Sequence, residues 1–298
     1  MDNLTHSLAG ALIGQAGLKR RTGLAMPALI IGANLPDIDA TCALLGTRSL
    51  ALRRGLTHGP IAWVILPLAL ALILYAYDRW QTQQGTRPEE RLPVRFSWLF
   101  ALAFLACLTH PALDWLNSYG IRFLEPFSHR WFYGDVLFII DVWLWVILGL
   151  AAWISRRREK RGGNWPMPAR IGLMLALAYI GGNLVISRVD ARSTHQNHAF
   201  ARVVIASPVP VQFWNRQTIL GDGTGRWLVD GARYGEVRLA SCDLAAVARV
   251  DPEAAAFLFW SRAPFVERAG EGWSLRDARF AGSMASDRFS VPLPPGTC

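Results

Sequence analysis

Ser97-Trp98-Leu99-Phe100-Ala101-Leu102-Ala103-Phe104-Leu105-Ala106-Cys107-Leu108-Thr109-His110-Pro111-Ala112-Leu113-Asp114 is an apolar run that ends on a histidine and an aspartate four residues apart. Extended to Leu116, it has the roughly 20 residues that cross a bilayer core. Backbone in hydrocarbon must satisfy its own hydrogen bonds, so the run reads as a helix. Positions i and i+4 of a helix share a face, so His110 and Asp114 point the same way. Ionisable groups at membrane depth are costly to bury, and they are paired or functional where they occur. An imidazole and a carboxylate so placed can chelate one metal ion or bridge two. The plainer alternative is a hydrogen-bonded pair at a helix end. Pro111 between them suits the first turn of a helix or a kink in one.

Similar runs surround this one. The chain has 298 residues, 52% hydrophobic and only 18% charged. Helices are expected at 4–18, 24–45, 60–77, 97–116, 136–154 and 170–187, the first two short or broken for a full span. The expected fold is therefore mainly α, a polytopic bundle of four to six membrane helices. Residues 1–190 form that membrane-embedded part and 191–298 a small β-rich domain. No cleavable signal is expected, because Met1-Asp2-Asn3 lacks a basic leader region.

Charge is distributed unevenly. Residues 1–187 hold 18 Lys and Arg against 11 Asp and Glu; residues 188–298 hold 13 against 11. In the membrane half, alternate joins between helices carry thirteen basic residues (Lys19 to Arg21, Arg79 to Arg95, Arg156 to Arg170). The other joins carry five: Arg48, Arg53, Arg54, Arg122 and Arg130. The positive-inside rule places the first group in the cytoplasm and both termini outside. This excess fits topology and anionic lipid better than nucleic acid, for which no basic–aromatic groove is present.

The polar islands then fall on one side. They are Thr5-His6, Asn34-Leu35-Pro36-Asp37-Ile38-Asp39, Arg54-Gly55-Leu56-Thr57-His58, His110 with Asp114, and Ser128-His129-Arg130. Their imidazoles and carboxylates are the donor set of a zinc-type or other divalent-metal site. His6, Asp37 or Asp39, His58, His110 and Asp114 are the candidate ligands. Asp37 and Asp39 sit about 200° apart on a helix, so a turn is needed for both to face inward. Thr57 is a candidate helix cap. Arg54 is read either as a phosphate-binding guanidinium or as a contact to lipid headgroups. His129 is a ligand, a general acid or an interfacial residue. Asp141 inside an apolar stretch needs a partner. His195 and His198 lie in a polar linker.

From about residue 200 short alternating stretches appear: Ala201 to Ala206, Val209 to Trp214, Arg226 to Val229 and Glu236 to Leu239. Gly221-Asp222-Gly223 and Asp230-Gly231 separate them. Leu244 to Phe259 is read either as part of this β-rich pattern or as including a helix. On the outer side Cys242 and Cys298 are expected to pair. Cys42 and Cys107 are isolated, and no Cys-x-x-Cys, Walker, Gly-x-Ser-x-Gly or His-Glu-x-x-His motif occurs.

As an ensemble, Thr5-His6, Asn34-x-Pro36-Asp37-x-Asp39, Arg54-Gly55-x-Thr57-His58 and His110-x-x-x-Asp114 resemble the YdjM-like family of bacterial inner-membrane proteins. The resemblance covers roughly residues 1–190 and implies a metal-dependent hydrolase. The order of motifs is also similar to that of the secreted zinc-dependent phospholipase C and single-strand nuclease family. That family has a second His-x-x-x-acid pair; here His129 is followed by Tyr133. The carry-over is one or two ions, zinc being the metal implied.

The expected activity is hydrolysis of a phosphoester, lipid included, at the outer face of a bacterial inner membrane. Arg54 or Arg130 would hold phosphate, and Arg54, His129 and Asp141 are the candidate catalytic residues. Membrane lipids are the expected partners, with the C-terminal domain outside the cytoplasm. The alternative is a non-catalytic membrane scaffold with a structural metal. A transporter would need polar residues on both faces, which the arginine-rich cytoplasmic joins do not supply.

Overall fold

The computed structural model describes residues 1–235, 239–281 and 286–298. They divide into two units, Met1–Ile38 with Arg54–Asn183 and Asp39–Arg53 with Leu184–Cys298. The chain is mainly helical, with four helical segments long and apolar enough to cross a membrane among the described residues. These are Ala25–Leu52, Pro60–Gln83, Phe96–Trp115 and Pro166–Asn197.

In chain order the helices are α1 (Asn3–Gln15), α2 (Ala25–Asn34), α3 (Ser49–Leu52), α4 (Pro60–Gln83), α5 (Phe96–Trp115), α6 (Val142–Lys160) and α7 (Pro166–Asn197). Asp2 starts α1 by accepting from the Thr5 amide at 3.0 Å. α2 passes at Leu35 into a 3-10 stretch, Leu35–Arg48, rather than continuing as the helix expected to residue 45. α6 starts at Val142 and not at 136, because Asp141 caps it by accepting from the Leu144 amide at 2.8 Å. Its last turn carries Arg157, Arg158 and Lys160, so α6 falls short of an apolar span. α1 has only 13 residues. These two lie side by side: Trp145 meets Thr5 at 3.0 Å and Ser155 meets Gln15 at 3.2 Å.

The core of the first unit joins Leu29 and Ala33 of α2, Leu70 and Leu74 of α4, and Leu99, Leu102, Ala103 and Ala106 of α5. Small residues set the helix spacing, as expected where lipid supplies no hydrophobic drive between helices. A Cβ on Gly32 would stand 3.0 Å from the Ala103 carbonyl and 3.2 Å from the Ala106 Cβ. Outward, Val64, Ile65, Leu72 and Ile73 of α4 are exposed, a face suited to acyl chains.

The second unit holds two antiparallel sheets. The first is the meander β1 (Val203–Pro208), β2 (Arg216–Gly221), β3 (Trp227–Val229), β4 (Ala232–Tyr234). Ile205 pairs with Ile219, and Ile219 with Val229. Asp230 and Gly231 both take positive φ, 48° and 87°, which makes the tight β3–β4 turn. Val209 to Trp214 is not a strand: the register with β2 ends at Pro208, and Val211 has φ 66°. Of the stretch Glu236 to Leu239, residues 236–238 lie outside the described residues. α8 (Leu244–Val250) and α9 (Pro252–Trp260) precede the second sheet, β5 (Pro264–Ala269), β6 (Gly272–Asp277), β7 (Ser290–Leu293). Although early in the chain, Asp39–Arg53 belongs to this unit, where α3 packs on α9.

Cys242 and Cys298 form a disulfide across 56 residues. Closing a loop of that length restricts the unfolded chain, by about 2–5 kcal/mol. C242S/C298S is expected to lower the urea midpoint of the C-terminal transition accordingly. An unchanged midpoint would mean the bridge adds nothing to stability.

Candidate metal centre

Four segments of the first unit bring their polar groups to one place. α5 supplies His110 and Asp114 from adjacent turns of one face; Pro111 lies inside the helix rather than at its start. The 3-10 turn after α2 supplies Asp37. A second 3-10 turn, Leu56–His58, supplies His58 just before α4. α1 supplies His6. Asp37, His58, His110 and Asp114 each offer a ligand atom within 4.8 Å of all the others. His6, His58, His110 and Asp114 are buried to 0% exposure.

The rings are held from behind. His110 Nδ1 lies 2.7 Å from the Ala33 carbonyl. A carbonyl only accepts, so Nδ1 carries the proton and the Nε2 lone pair faces the group. His58 Nδ1 meets the Thr57 hydroxyl at 2.9 Å. Thr57 therefore orients the ring and does not cap α4, whose capping position is Gly59. His6 stacks on His110 with centroids 3.8 Å apart, and His58 meets His110 edge-on at 5.0 Å.

The spacing between donors favours a shared ion over direct pairing. His110 Nε2 is 3.6 Å from Asp37 Oδ1 and 3.6 Å from Asp114 Oδ2. His58 Nε2 is 3.4 Å from Asp114 Oδ2, and His6 Nε2 is 3.3 Å from Asp114 Oδ1. These exceed ordinary hydrogen-bond lengths. Two donors each about 2.1 Å from a tetrahedral ion stand about 3.4 Å apart. His110 Nε2 and both ring nitrogens of His6 are buried without a hydrogen bond among the described residues, an uncommon state for buried polar atoms. The residues thus fit a divalent cation by geometry and by donor chemistry.

Positive groups balance Asp114 from its other side. Arg54 Nε lies 3.1 Å from Oδ2 and Arg54 Nη2 3.3 Å from Oδ1. Arg54 Nη1 donates to Asn117 Oδ1 at 2.9 Å and to the Gly120 carbonyl at 3.3 Å. The Met1 amine also contacts Asp114 Oδ1. Arg54 is 4% exposed and has φ 55°, a left-handed conformation costing about 1–2 kcal/mol. Its carbonyl accepts from the Arg122 amide at 2.9 Å, which helps hold that turn. Buried and paired with carboxylate, Arg54 is not the headgroup contact that was its alternative reading.

Other candidates stand apart from the four-residue group. Asp39 belongs to the second unit and lies 3.9 Å from Arg53; of the two aspartates, Asp37 joins the group. Asp141 caps α6 and accepts from the Tyr179 hydroxyl at 3.0 Å, which gives it the partner its burial requires. His129 keeps a side chain 67% exposed, with Nδ1 2.9 Å from Glu125 Oε2. Arg130 is exposed, its guanidinium over Phe132. α7 runs on to Asn197, so His195 lies in its last turn and not in a linker, and His198 just beyond it meets the Thr194 carbonyl one turn back.

Three buried polar residues were not among the candidate site residues: Asn117, Arg122, which was counted only as a basic residue of a join, and Glu125. Glu125 takes Arg122 Nη1 at 3.2 Å as well as His129. The signal was present as Arg-x-x-Glu-x-x-x-His, but the segment is not helical, so periodicity did not expose it.

This arrangement defines a polytopic membrane protein with a buried histidine–aspartate group able to hold a metal ion. Residues 1–189 match the family described as YdjM inner membrane protein, and the chain belongs to that family. The match contains all four members of the group. The chain is also similar to the uncharacterized protein YfhP of Bacillus subtilis (strain 168), with 24% identity over 284 residues. That alignment covers 88% of this chain and 80% of YfhP. No solved structure matches it.

Proposed function

We propose that the protein is a metal-dependent hydrolase of a phosphoester, acting at the outer face of the inner membrane. The observation that carries this is the set of four donors at ion spacing with a buried guanidinium against one of them. Asp37, His58, His110 and Asp114 would hold the ion, zinc by donor type, with His6 beside them. A zinc ion there would supply Lewis-acid chemistry, polarising a phosphoryl oxygen and making hydroxide accessible near neutral pH. Arg54 steadies Asp114 and sets a fixed positive charge where a phosphoryl group gains negative charge. His129, exposed and anchored through Nδ1 on Glu125, is suited to exchange protons with water.

Depth supports a lipid substrate. His110 lies fourteen residues along α5 from Phe96, about 21 Å of helix. The basic joins lie at the Phe96 end, where the Arg95 amide donates to Thr22 beside Arg21. With that end cytoplasmic, the site approaches the outer headgroups. The disulfide of the second unit agrees with an oxidising compartment.

A second reading rests on the same four donors: if all four were to ligate, they would close a tetrahedral shell, the pattern of structural zinc, with no position left for water. One experiment separates them. Chelator treatment of the detergent-purified chain is expected to abolish turnover of a chromogenic phosphoester, with zinc restoring it and the melting temperature little changed. A large fall in melting temperature, with no turnover before or after zinc, would assign the metal to a scaffold.

A further inference from the structure

The end of the first unit opposite the metal centre carries its own chemistry. Segments 19–21, 78–95 and 156–170 hold thirteen Lys and Arg against four acids, Asp78, Glu89, Glu90 and Glu159. Their net of +9 equals the formal charge of the whole chain. The rest is neutral in sum, so this is a local field and not a diffuse one.

Aromatic side chains order these cations. Lys19 Nζ stands 4.3 Å and the Arg20 guanidinium 4.7 Å from the ring of Trp165. Arg21 lies 5.1 Å from Trp98, and Arg157 lies 5.2 Å from Trp153. Tryptophan and cations together mark the headgroup level of a membrane protein. Lys19 pairs with Glu159, whereas Arg20 and Arg21 are exposed.

Beside them is a notch of about 270 Å³ lined by Lys19, Thr22, Gly23, Leu24, Met26 and Leu92, among others. One wall is cationic and the others are apolar. The backbone closes in at Gly23, where a Cβ would collide with the Leu92 carbonyl. Its amide donates to the Pro93 carbonyl at 3.2 Å, so the wall formed by the 92–94 segment is tied in place.

We propose that this notch binds the headgroup of an anionic phospholipid, with Lys19, Arg20 and Arg21 on its phosphate and Leu24, Met26 and Leu92 against its glycerol and upper acyl carbons. Charge complementarity selects the occupant: a cationic rim at headgroup level meets phosphatidylglycerol-type lipid, while the apolar wall has no use for free phosphate. The site is independent of the metal centre and of any hydrolytic activity.

The test is a lipid titration of the full detergent-purified chain, read as melting temperature and by native mass spectrometry. Phosphatidylglycerol is expected to raise the melting temperature by several degrees and to remain bound in the spectra, with phosphatidylcholine and inorganic phosphate doing neither. R20Q/R21Q, which changes exposed residues only, is expected to weaken phosphatidylglycerol at least about tenfold. R226Q/R233Q in the second unit is expected to leave binding unchanged. Equal effects of phosphatidylcholine, full competition by inorganic phosphate, or equal weakening in both variants would overturn the proposal. If R20Q/R21Q melts early without lipid, counting bound lipids by mass spectrometry still decides, because retained phosphatidylglycerol in that variant is fatal to it.

Discussion

His110→Ala is expected to remove the stoichiometric metal of the purified protein and to cut phosphoester turnover by at least about a hundredfold. His110 faces both carboxylates of the group, at 3.6 Å from each. It is also the ring against which His6 stacks and His58 packs edge-on. Loss of its nitrogen leaves three donors, His58 and the two carboxylates, which then share one pocket without their bridge. Thr57→Ala provides the milder companion. It removes the hydroxyl behind His58 Nδ1, and supports of this kind are worth about 10–100-fold in metal affinity. Metal analysis by mass spectrometry and a zinc titration check both. Full metal content in His110→Ala would sink the site as drawn.

Arg279→Ala is expected to destabilise the C-terminal unit by about 3–5 kcal/mol, because it strands a buried carboxylate. Asp277 is 1% exposed. It takes Arg279 Nε at 2.8 Å on Oδ1 and Arg279 Nη2 at 2.8 Å on Oδ2, with Ser261 Oγ donating at 2.5 Å. The guanidinium in turn lies 4.6 Å from the ring of buried Trp260. Arg279→Lys is not expected to rescue, since an ammonium cannot make the two-pronged contact.

The same knot sets an acid limit. Burial pushes the Asp277 carboxyl up, but the charge and hydrogen bonds of Arg279 more than offset this and hold it below the usual range. A carboxyl lowered on folding contributes stability that is complete above its unfolded pKa of about 3.9 and is lost as pH falls through the lower folded value. Urea melts of the full chain, followed by tryptophan emission, are expected to show this loss below about pH 4 in the wild type. In Arg279→Ala this acid loss should vanish or reverse, because burial without the guanidinium raises the Asp277 carboxyl and protonation then relieves the stranded charge. A change under about 1 kcal/mol in Arg279→Ala would show that the pair is not what holds this unit.

Much of the membrane half was legible because hydrocarbon leaves the chain few choices. Long apolar runs must be helices there; Pro60–Gln83 and Phe96–Trp115 stand where they were expected, while Pro166–Asn197 covers its expected span and runs on ten residues past it. Where helices break was less legible. The passage of α2 into a 3-10 stretch at Leu35 depends on local turn chemistry that apolar periodicity does not report. In the C-terminal unit, alternation indicated β1 and β3 but also suggested a strand at Val209 to Trp214, where Pro210 and a positive φ at Val211 exclude one.

For the site, the sequence by itself determined which chemistry was available and which residues of α5 share a face. His110 and Asp114 are neighbours by helix geometry alone, and no other part of the chain is needed to say so. Only the tertiary structure decided between Asp37 and Asp39, gave Thr57 to His58, buried Arg54 against Asp114, and assigned Asp141 to a helix cap and Tyr179. Each of those outcomes turns on contacts between residues 38 to 77 positions apart or on one turn's dihedral angles, and local pattern carries information about neither.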